Sequence, residues 1–499
     1  MTIGATLARH AAENPLGSAI VCDDQVISWH DLDRLVSALV LRLASLDGEA
    51  RAVALHLPNG PAFVPLFLAI ARAGREAQVL DPAWPPARTQ SVLALLDPAL
   101  LITADANIRH RRRVLLDRHA LRFEAVAQAL NDIATAKGAA LPAVDDLAPF
   151  YVGFTSGSTG APKGYRRHHR SWIKSFEADA VEFGIESSDV LLAPGAMTHS
   201  LFLYAAMHAM HLGATLLMST SIRPDRATEL AARHKASVIY GVPTHFRLMV
   251  TAMQDAGMQP LPSPRWLLSS GAKLNADEAA RMKAAFPQAR IAEFYGASEL
   301  SFIAVRKEGD GAPATSVGKP FASVTVSIRD DAGNPLPPGE TGHVFVESPL
   351  AFMGYATGVG SHLLRAGDAI SVGDVGSFDA RGFLHLSGRA NRMILSSGRN
   401  IYPEEIETVL QSHPAIAAAA VFAAPDDDRG ERLVALLLLA PTAIVTQAQI
   451  IAHCRTLLPL ASIPRIYLKA QEWRTTGSGK TDFAAMAALM TTSSMERIA

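Results

Sequence analysis

The sequence predicts an α/β protein with a large N-terminal domain of doubly wound sheets, a β-rich subdomain and a small α+β C-terminal domain. From residue 1 to about 150, short apolar strands alternate with longer amphipathic stretches, which favours doubly wound sheets. Residues 316–346 instead show short strand-like runs separated by Gly/Pro turns, which is typical of a β-rich subdomain. Farther on, apolar runs at 415–424 and 433–440 predict buried strands, and Pro403 followed by two glutamates predicts a helix start.

The individual elements follow from hydrophobic periodicity and from the turn residues between them. In the first part of the chain we predict a hairpin at 19–28, a helix at 31–46, a strand at 51–57, a helix at 61–73 and a strand at 76–80. After residue 150 we predict strands at 151–154, 212–217 and 236–241, a strand followed by a loop at 191–200, and an apolar helix at 201–210.

Composition excludes several classes of protein. The chain has 499 residues, 49% hydrophobic and 19% charged, with a formal charge of −1, so we expect a globular protein that does not bind nucleic acid through a basic field. Two cysteines, Cys22 and Cys454, cannot form a disulfide framework and are expected to be buried. The N-terminus lacks a signal-peptide core and the apolar runs are too short to span a bilayer, so we expect a cytoplasmic protein without a membrane span.

The clearest functional pattern is residues 154–164, Phe-Thr-Ser-Gly-Ser-Thr-Gly-Ala-Pro-Lys-Gly. Its glycines allow backbone N–H groups to converge on an anion, while its hydroxyls and lysine add donors and charge. The pattern therefore predicts a polyphosphate-binding loop; the alternatives are a ligand-free Ser/Gly linker and a Walker-type loop, whose Lys-Ser/Thr ending is not met. The residues expected to bind are Thr155, Ser156, Gly157, Ser158, Thr159, Gly160 and Lys163.

A second pattern, Glu293-Phe-Tyr-Gly-Ala-Ser-Glu299, combines groups suited to a nucleotide. Tyr295 offers a flat face for a purine, Gly296 permits close backbone approach, and Ser298 can donate to a phosphate. Glu299 supplies a hard oxygen ligand for Mg²⁺. Taken alone, the segment would also fit an ordinary turn at a strand end.

Together, residues 155–164 and 293–299 resemble the motifs of the AMP-forming adenylating enzymes, which include acyl-CoA synthetases, peptide-synthetase adenylation domains and firefly luciferase. Among these the chain is most similar to an acyl-CoA synthetase. The resemblance implies an N-terminal ATP- and acyl-binding domain, residues 1–390, and a mobile C-terminal domain, residues 391–499. Rotation is expected near Asn391, where the family usually has Asp or Lys.

The resemblance also assigns roles to single residues. Lys480 would lie between the acyl carboxylate and the α-phosphate, Asp374 would bind the ribose hydroxyls, and Gly398 would line the pantetheine tunnel. The flanking Ser397 and Arg399 depart from the family's usual Gly-Gly-Glu-Asn. The expected catalytic residues are Lys480, Glu299, Thr159 and His199, the metal ligands are Glu299 and Thr159, and the further nucleotide- or CoA-binding residues are Gly271, Ala272, Glu293, Phe294, Tyr295, Gly296, Ala297, Ser298, Asp374, Arg389 and Gly398.

Two further segments lie near these motifs. In the basic run after the hydroxyl-rich loop, Arg166, Arg167 and His168 are expected on a solvated face, with His169 capping the next helix. The apolar residues 199–207 fit either an acyl pocket, as the resemblance implies, or ordinary core. In the family that the chain resembles, members that activate amino acids usually carry an Asp in the region matching 198–207. No acidic residue occurs there in this chain, so the resemblance implies an uncharged or apolar acyl tail.

The expected reaction is ATP-dependent activation of a small-molecule carboxylic acid, with Mg²⁺, and transfer of the acyl group to CoA. An acyl carrier protein is the alternative acceptor, and a homodimer is compatible with this interpretation. A degenerate AMP-binding regulatory protein is a different class of function. The presence of every polar residue that the chemistry needs argues against it; these are Thr159, Lys163, Glu299, Asp374, Arg389 and Lys480.

Overall fold

The computed structural model describes residues 1–44, 46, 52–116, 143–155, 163–358, 363–396, 399–426, 430–476, 480–492 and 495–498. Packing of the backbone divides the chain into two compact units. The first unit comprises Met1–Ala312, Pro320–Thr325 and Glu347–Ser361, and the second comprises Pro313–Lys319, Val326–Val346 and His362–Ala499. The second unit thus contains most of the β-rich segment together with the C-terminal residues. The boundary predicted after Ala390 concerns movement and stays a prediction.

A nine-stranded sheet forms one layer of the first unit, and strand labels follow chain order. Its strands are β1 (Ser18–Cys22), β2 (Gln25–Ser28), β9 (Val190–Leu192), β10 (Thr215–Met218), β11 (Val238–Gly241), β12 (Trp266–Ser270), β13 (Arg290–Ala297), β14 (Ser301–Lys307) and β15 (Lys319–Pro320). The order across the sheet is β15-β14-β13-β12-β11-β9-β10-β1-β2 among the described residues. The neighbours from β13 to β1 are parallel, whereas β14 and β2 are antiparallel additions.

A seven-stranded sheet forms the other layer of the first unit. Its strands are β3 (Ala52–His56), β4 (Glu76–Val79), β5 (Leu100–Thr103), β6 (Arg113–Leu115), β7 (Pro149–Thr155), β8 (Lys163–His168) and β18 (Gly354–Tyr355). Strands β3 to β7 pair in parallel, and β8 pairs antiparallel with both β7 and β18. The hydroxyl-rich loop therefore connects the antiparallel strands β7 and β8.

Most of the described helices of the first unit lie between successive strands of its two sheets, in agreement with the doubly wound prediction. They are α1 (Leu7–Glu13), α2 (Trp29–Ala44), α3 (Phe63–Arg72), α4 (Pro86–Leu96), α5 (His169–Phe183), α6 (Ser200–Leu212), α7 (Pro224–Arg233), α8 (Pro243–Asp255) and α9 (Ala276–Ala285). Helix α6 buries every residue from 202 to 210, which agrees with both interpretations of this stretch, ordinary core and the wall of an acyl pocket. An Asn275–Glu278 capping box fixes the start of α9.

The second unit is richer in strands. Its sheets contain β16 (Thr325–Arg329), β17 (Gly342–Glu347), β19 (Leu364–Ala366), β20 (Ala369–Ser371), β21 (Asp374–Phe378) and β22 (Leu384–Arg389); the hairpin β23 (Ile394–Ser396) and β24 (Arg399–Ile401); and β25 (Ile416–Asp426), β26 (Gly430–Leu439), β27 (Ile466–Lys469) and β28 (Glu496–Arg497). Its helices are α10 (Pro403–Gln411), α11 (Gln447–Leu457) and α12 (Phe483–Thr492). The two strands predicted from apolar runs are confirmed as β25 and β26. Within the described part of the chain, every helix is too short or too polar to cross a bilayer.

Asp189 forms a buried polar cluster directly before β9. Its side chain is 4% exposed and accepts hydrogen bonds from Arg265 at 2.6 Å and from the Ser237 hydroxyl at 2.7 Å. Burial alone would raise the pKa of this carboxyl, but the hydrogen bonds from Arg265, the Glu186 backbone and Ser237 lower it below its ordinary value. Because β9 begins here, the cluster lies at the sheet edge opposite to the carboxyl ends of the strands.

We predict that Asp189→Asn lowers the free energy of unfolding by about 2 kcal/mol at pH 7, because Arg265 loses its charged partner. A carboxyl with a depressed folded pKa contributes stability above its unfolded pKa of about 3.9 and loses it as the pH falls through the folded value. The difference between variant and wild type in urea unfolding should therefore shrink below about pH 4. Asp24→Asn is the matched control, since Asp24 is 79% exposed in its pair with Arg233; a pH-independent difference for Asp189→Asn would contradict the assignment.

Candidate active site

Neighbouring parallel strands of the nine-stranded sheet end at one edge. Strands β9, β11, β12 and β13 run in the same direction, so the segments after their carboxyl ends share this edge. In open α/β sheets, ligands bind at such an edge. The segments there carry His199 after β9, His245 after β11, Gly271-Ala272 after β12, and Tyr295 to Ser298 around the end of β13.

The hydroxyl-rich loop is bracketed by two residues that face each other. Thr155 ends β7 and Lys163 begins β8, and the two are paired across the antiparallel ladder. Next to Lys163, the Gly164 N–H donates to the Thr357 hydroxyl at 3.2 Å, and the Gly164 carbonyl accepts from Ala356 at 2.7 Å. The predicted site residues Ser156, Gly157, Ser158, Thr159 and Gly160 lie outside the described residues.

Glu299 lies in the turn between β13 and β14 and is half-buried. Its carboxylate accepts a hydrogen bond from the Tyr355 hydroxyl at 2.8 Å. Its carbonyl accepts from the Phe352 N–H at 2.7 Å and from the Arg167 guanidinium at 3.4 Å. Since Tyr355 lies on β18, which pairs with β8, the turn of Glu299 is connected to the strand that leaves the hydroxyl-rich loop.

Gly296 is required by the tightness of this same turn. A Cβ at position 296 would lie 2.3 Å from the carbonyl oxygen of Ser301, a distance that no side chain tolerates. Ser301 itself has a left-handed backbone, with φ of 60°. The motif glycine therefore has a local backbone role, while its predicted approach to a purine stays a prediction.

Glu293 and Phe294, both predicted to bind the nucleotide, make contacts within the protein. The Glu293 carboxylate accepts from the Leu274 N–H at 2.8 Å and forms an ion pair with Arg306 on β14. The Phe294 ring is buried and packs edge-on against Phe302, with 4.9 Å between ring centroids. A nucleotide contact of Phe294 would therefore come from its backbone rather than from its ring.

Two histidines meet near the start of α6. His199 precedes the helix, and its charge together with burial lowers the pKa of His245 to about 4, with burial the larger cause. The His245 ring packs edge-on against Phe202, with 5.0 Å between ring centroids. His245 is thus neutral at physiological pH. Its position was not predicted from the sequence, since α8 carries no motif there.

In the second unit, Asp374 and Arg389 face each other on the antiparallel strands β21 and β22. The Asp374 carboxylate is buried and accepts a hydrogen bond from the Arg389 Nε at 3.0 Å, whereas Arg389 has a half-exposed side chain. The two predicted nucleotide-binding residues are therefore direct partners. The pairing fixes the orientation of the Asp374 carboxylate.

Lys480 lies in the second unit and is exposed. The Thr476 N–H donates to the Lys480 carbonyl at 2.7 Å, and the Trp473 indole donates to the Thr481 hydroxyl at 3.2 Å. The backbone of Lys480 is thus held by a hydrogen bond that does not involve its side chain. Gly398 and Ser397 lie outside the described residues, between the hairpin strands β23 and β24.

Two family profiles match the chain. The profile described as "AMP-binding enzyme" matches residues 7–356, and that described as "AMP-binding enzyme C-terminal domain" matches residues 405–480. The chain belongs to the AMP-binding enzyme family. The predicted superfamily is therefore confirmed.

Relatives of this AMP-binding enzyme include an uncharacterized acyl–CoA ligase, YhfT, of Bacillus subtilis, which is 38% identical over 96% of both chains. A feruloyl-CoA synthase of an Amycolatopsis species is 28% identical over 96% of this chain and 97% of its own. Such relatives confirm the predicted class of AMP-forming acid–thiol ligase.

Solved structures confirm the predicted fold class. The Bacillus subtilis o-succinylbenzoate CoA synthetase MenE, in complex with its acyl-adenylate, aligns with a TM-score of 0.83 at 24% identity over 97% of this chain and 98% of its own. The anthranilate CoA ligase AuaEII, in complex with anthranoyl-AMP, aligns with a TM-score of 0.85 at 22% identity over 98% of this chain and 97% of its own. At these identities the likeness concerns the fold.

The basic run of this AMP-binding enzyme departs from two expectations. Arg167 is 2% exposed, so the prediction of a solvated face is wrong for it. Side chains alternate between the two faces of β8, and Arg167 lies on the same buried face as Tyr165. The helix cap is His168, whose ring accepts from the Ser171 N–H, rather than His169. His169 is buried, accepts from the Ile3 N–H at 3.1 Å, and has its pKa lowered by burial to about 4.

An acidic residue does contact the helix of the predicted acyl region, although the local sequence has none. Asp179 comes from α5 and is fully buried. Its carboxylate accepts from the hydroxyls of Tyr204 at 2.9 Å and Tyr240 at 3.1 Å, and lies 3.2 Å from the His208 ring nitrogen. Because this carboxylate already has three polar neighbours, it does not weaken the expectation of an uncharged acyl tail.

Proposed function

We propose that this AMP-binding enzyme uses ATP to convert a carboxylic acid into its acyl-adenylate and then transfers the acyl group to CoA. In the first step a carboxylate oxygen attacks the α-phosphorus of ATP and the bond to the β-phosphate oxygen breaks, releasing pyrophosphate. In the second step the CoA thiol attacks the acyl carbon, the bond from that carbon to the phosphate oxygen breaks, AMP leaves, and the thiol proton passes to water. An in-line displacement of this kind needs positioned groups that offset negative charge.

One observation carries the proposal. The strand that leaves the hydroxyl-rich loop and the turn of Glu299 are joined through a single segment, 350–357. Tyr355 in this segment donates to the Glu299 carboxylate, while Thr357 accepts from the backbone of Gly164. A phosphate-binding loop and a metal-binding carboxylate would thus serve the same triphosphate.

The residues present fit Mg²⁺. Within the described part of the chain, no group of three or more His, Cys, Asp or Glu side chains forms a dedicated metal cage. Mg²⁺ in nucleotide enzymes needs none, because one or two protein oxygens suffice when phosphates and waters complete the octahedron. Glu299 and the Thr159 hydroxyl would hold the ion, which would offset the charge on the phosphates.

Asp374 and Lys480 supply the remaining contacts of the proposal. The Asp374 carboxylate, oriented by Arg389, would accept hydrogen bonds from the ribose hydroxyls. Lys480 would place a point charge between the acyl carboxylate and the α-phosphate. The hydroxyls and backbone of 155–160 would surround the β- and γ-phosphates.

The decisive experiment is acid-dependent exchange of pyrophosphate into ATP across a panel of carboxylic acids, followed by thioester formation with CoA or with an acyl carrier protein. Exchange with an uncharged or apolar acid and preference for CoA would support the proposal. Exchange with none of the acids, together with AMP binding, would favour a regulatory AMP-binding protein. A cytoplasmic location and a homodimer stay predictions.

We further propose that the C-terminal domain rotates about Asn391 between the two half-reactions. Asn391 lies in a short 3₁₀ turn, 390–392, and is exposed, so a change in its dihedral angles displaces no buried side chain of its own. Asn391→Pro fixes φ near −65° and should reduce thioester formation at least about tenfold while pyrophosphate exchange stays within about twofold. Measuring both half-reactions checks this; equal retention of both would contradict the rotation.

A further inference from the structure

Arg167 is a buried cation for which the proposed reaction has no use. It lies on β8, four residues after Lys163, and is 2% exposed. The nearby Arg166 and Arg170 form ion pairs with Glu76 and Asp146. No carboxylate among the described residues forms such a pair with Arg167.

The guanidinium of Arg167 connects β8 to two turns. Its Nη1 donates to the Leu350 carbonyl at 2.6 Å and to the Glu299 carbonyl at 3.4 Å. Its Nε is buried and has no hydrogen-bond partner among the described atoms. The guanidinium therefore binds the backbone of the Glu299 turn and that of the segment at Leu350, which contact each other through Glu299 and Phe352.

Burial of the charged Arg167 guanidinium costs desolvation free energy. The guanidinium is 2% exposed, and no carboxylate among the described residues forms an ion pair with it to offset the cost of removing it from water. An apolar side chain of similar length would fold with less desolvation. Such a charge is more easily explained by what it holds in place than by stability.

What Arg167 holds is the connection between the hydroxyl-rich loop and Glu299. The segment after Leu350 runs beside β8, with the Met353 N–H donating to the Arg166 carbonyl at 2.8 Å. The Tyr355 hydroxyl in that segment reaches the Glu299 carboxylate. Arg167 contacts both the carbonyl of Leu350, at the start of this segment, and the carbonyl of Glu299 in the turn.

We propose that Arg167 is a positioning residue for nucleotide activation, which fixes the backbone of the Glu299 turn against β8 and thereby orients the Glu299 carboxylate. The inference rests on the proposed function, since Arg167 itself contacts no substrate in it. Misplacement of a reacting group by about 1 Å costs about 100-fold in rate. Loss of Arg167 should therefore affect adenylation and its dependence on Mg²⁺ more than it affects folding.

The test uses the full-length protein and its Arg167→Met, Arg167→Lys and Arg170→Met variants. Binding of ATP is titrated calorimetrically at increasing Mg²⁺, and pyrophosphate exchange is measured with an acid from the panel. Arg167→Met should lower kcat of exchange about 10- to 100-fold and shift half-saturation to higher Mg²⁺. Arg167→Lys should recover part of the loss because it keeps the charge but not the fork, and Arg170→Met should behave like wild type.

Combination with Glu299→Gln separates positioning from general damage. If Arg167 acts through Glu299, Arg167→Met adds less than about threefold in the Glu299→Gln background; a full additional loss overturns the proposal. Unchanged exchange and Mg²⁺ dependence in a folded Arg167→Met variant also overturn it. Should that variant fail to fold, Arg167→Gln is measured instead, and normal exchange in it has the same consequence. Absence of ATP binding by the wild type would reject the proposed function itself.

Discussion

Replacing Lys480 by alanine is expected to lower adenylation about 100- to 1,000-fold while the protein stays folded. The lysine is exposed, and its backbone carbonyl accepts a hydrogen bond from the Thr476 N–H. Truncation of the side chain therefore leaves this backbone hydrogen bond intact. The loss should come from the missing positive charge at the α-phosphate, where negative charge gathers during the displacement.

Two measurements check this prediction for Lys480. Pyrophosphate exchange reports adenylation, and CoA consumption from a supplied acyl-adenylate reports the second half-reaction, which should be nearly unaffected. Lys469→Ala is the matched control, since Lys469 belongs to the same unit and pairs at the surface with Glu496. Near-normal exchange in Lys480→Ala, or equal losses in both half-reactions, would show that the lysine does not act at the α-phosphate.

The fold and the main motifs were accessible from the sequence because their signals are local. The glycines and hydroxyls of 154–164 lie close together in the sequence, so their pattern alone predicts a phosphate-binding loop. The apolar runs of β25 and β26 likewise predict strands without information on which strands they pair with. Glu299 was predicted as a site residue for the same reason, as part of a seven-residue motif. Its partner Tyr355 was missed, because a Gly-Tyr pair in a loop predicts a turn and nothing about a carboxylate 56 positions away.

Burial of charge was the part that local patterns could not predict. Five basic residues in a row, 166–170, indicate a solvated face, yet the alternation of β8 turns Arg167 inward. Its acceptors, the carbonyls of Leu350 and Glu299, lie 183 and 132 positions along the chain. Asp179 illustrates the same limit, since its contacts with Tyr204 and Tyr240 depend on how α5, α6 and β11 pack together.

Replacing Glu299 by glutamine is expected to lower adenylation about 100-fold, because the variant keeps the shape of the side chain but loses its negative charge. The amide oxygen can still accept from the Tyr355 hydroxyl, and the carbonyl contact with Phe352 does not involve the side chain. The backbone of the turn should therefore persist. A neutral amide binds Mg²⁺ less strongly than a carboxylate, so half-saturation should move to higher Mg²⁺.

Exchange measured over a range of Mg²⁺ concentrations distinguishes this metal role of Glu299 from a purely structural one. A structural role would lower the melting temperature and leave the Mg²⁺ dependence of the remaining activity unchanged. A metal role would leave the melting temperature nearly unchanged and shift the Mg²⁺ dependence of the remaining activity. In that case Tyr355→Phe should shift the Mg²⁺ dependence in the same direction but by less, since it removes one hydrogen bond from the carboxylate. Glu177→Gln serves as the control, because that side chain is 55% exposed and pairs only locally with Lys174. If Glu299→Gln and Glu177→Gln showed the same rate and the same Mg²⁺ dependence, the carboxylate at 299 could not be the ligand that offsets the charge of the triphosphate.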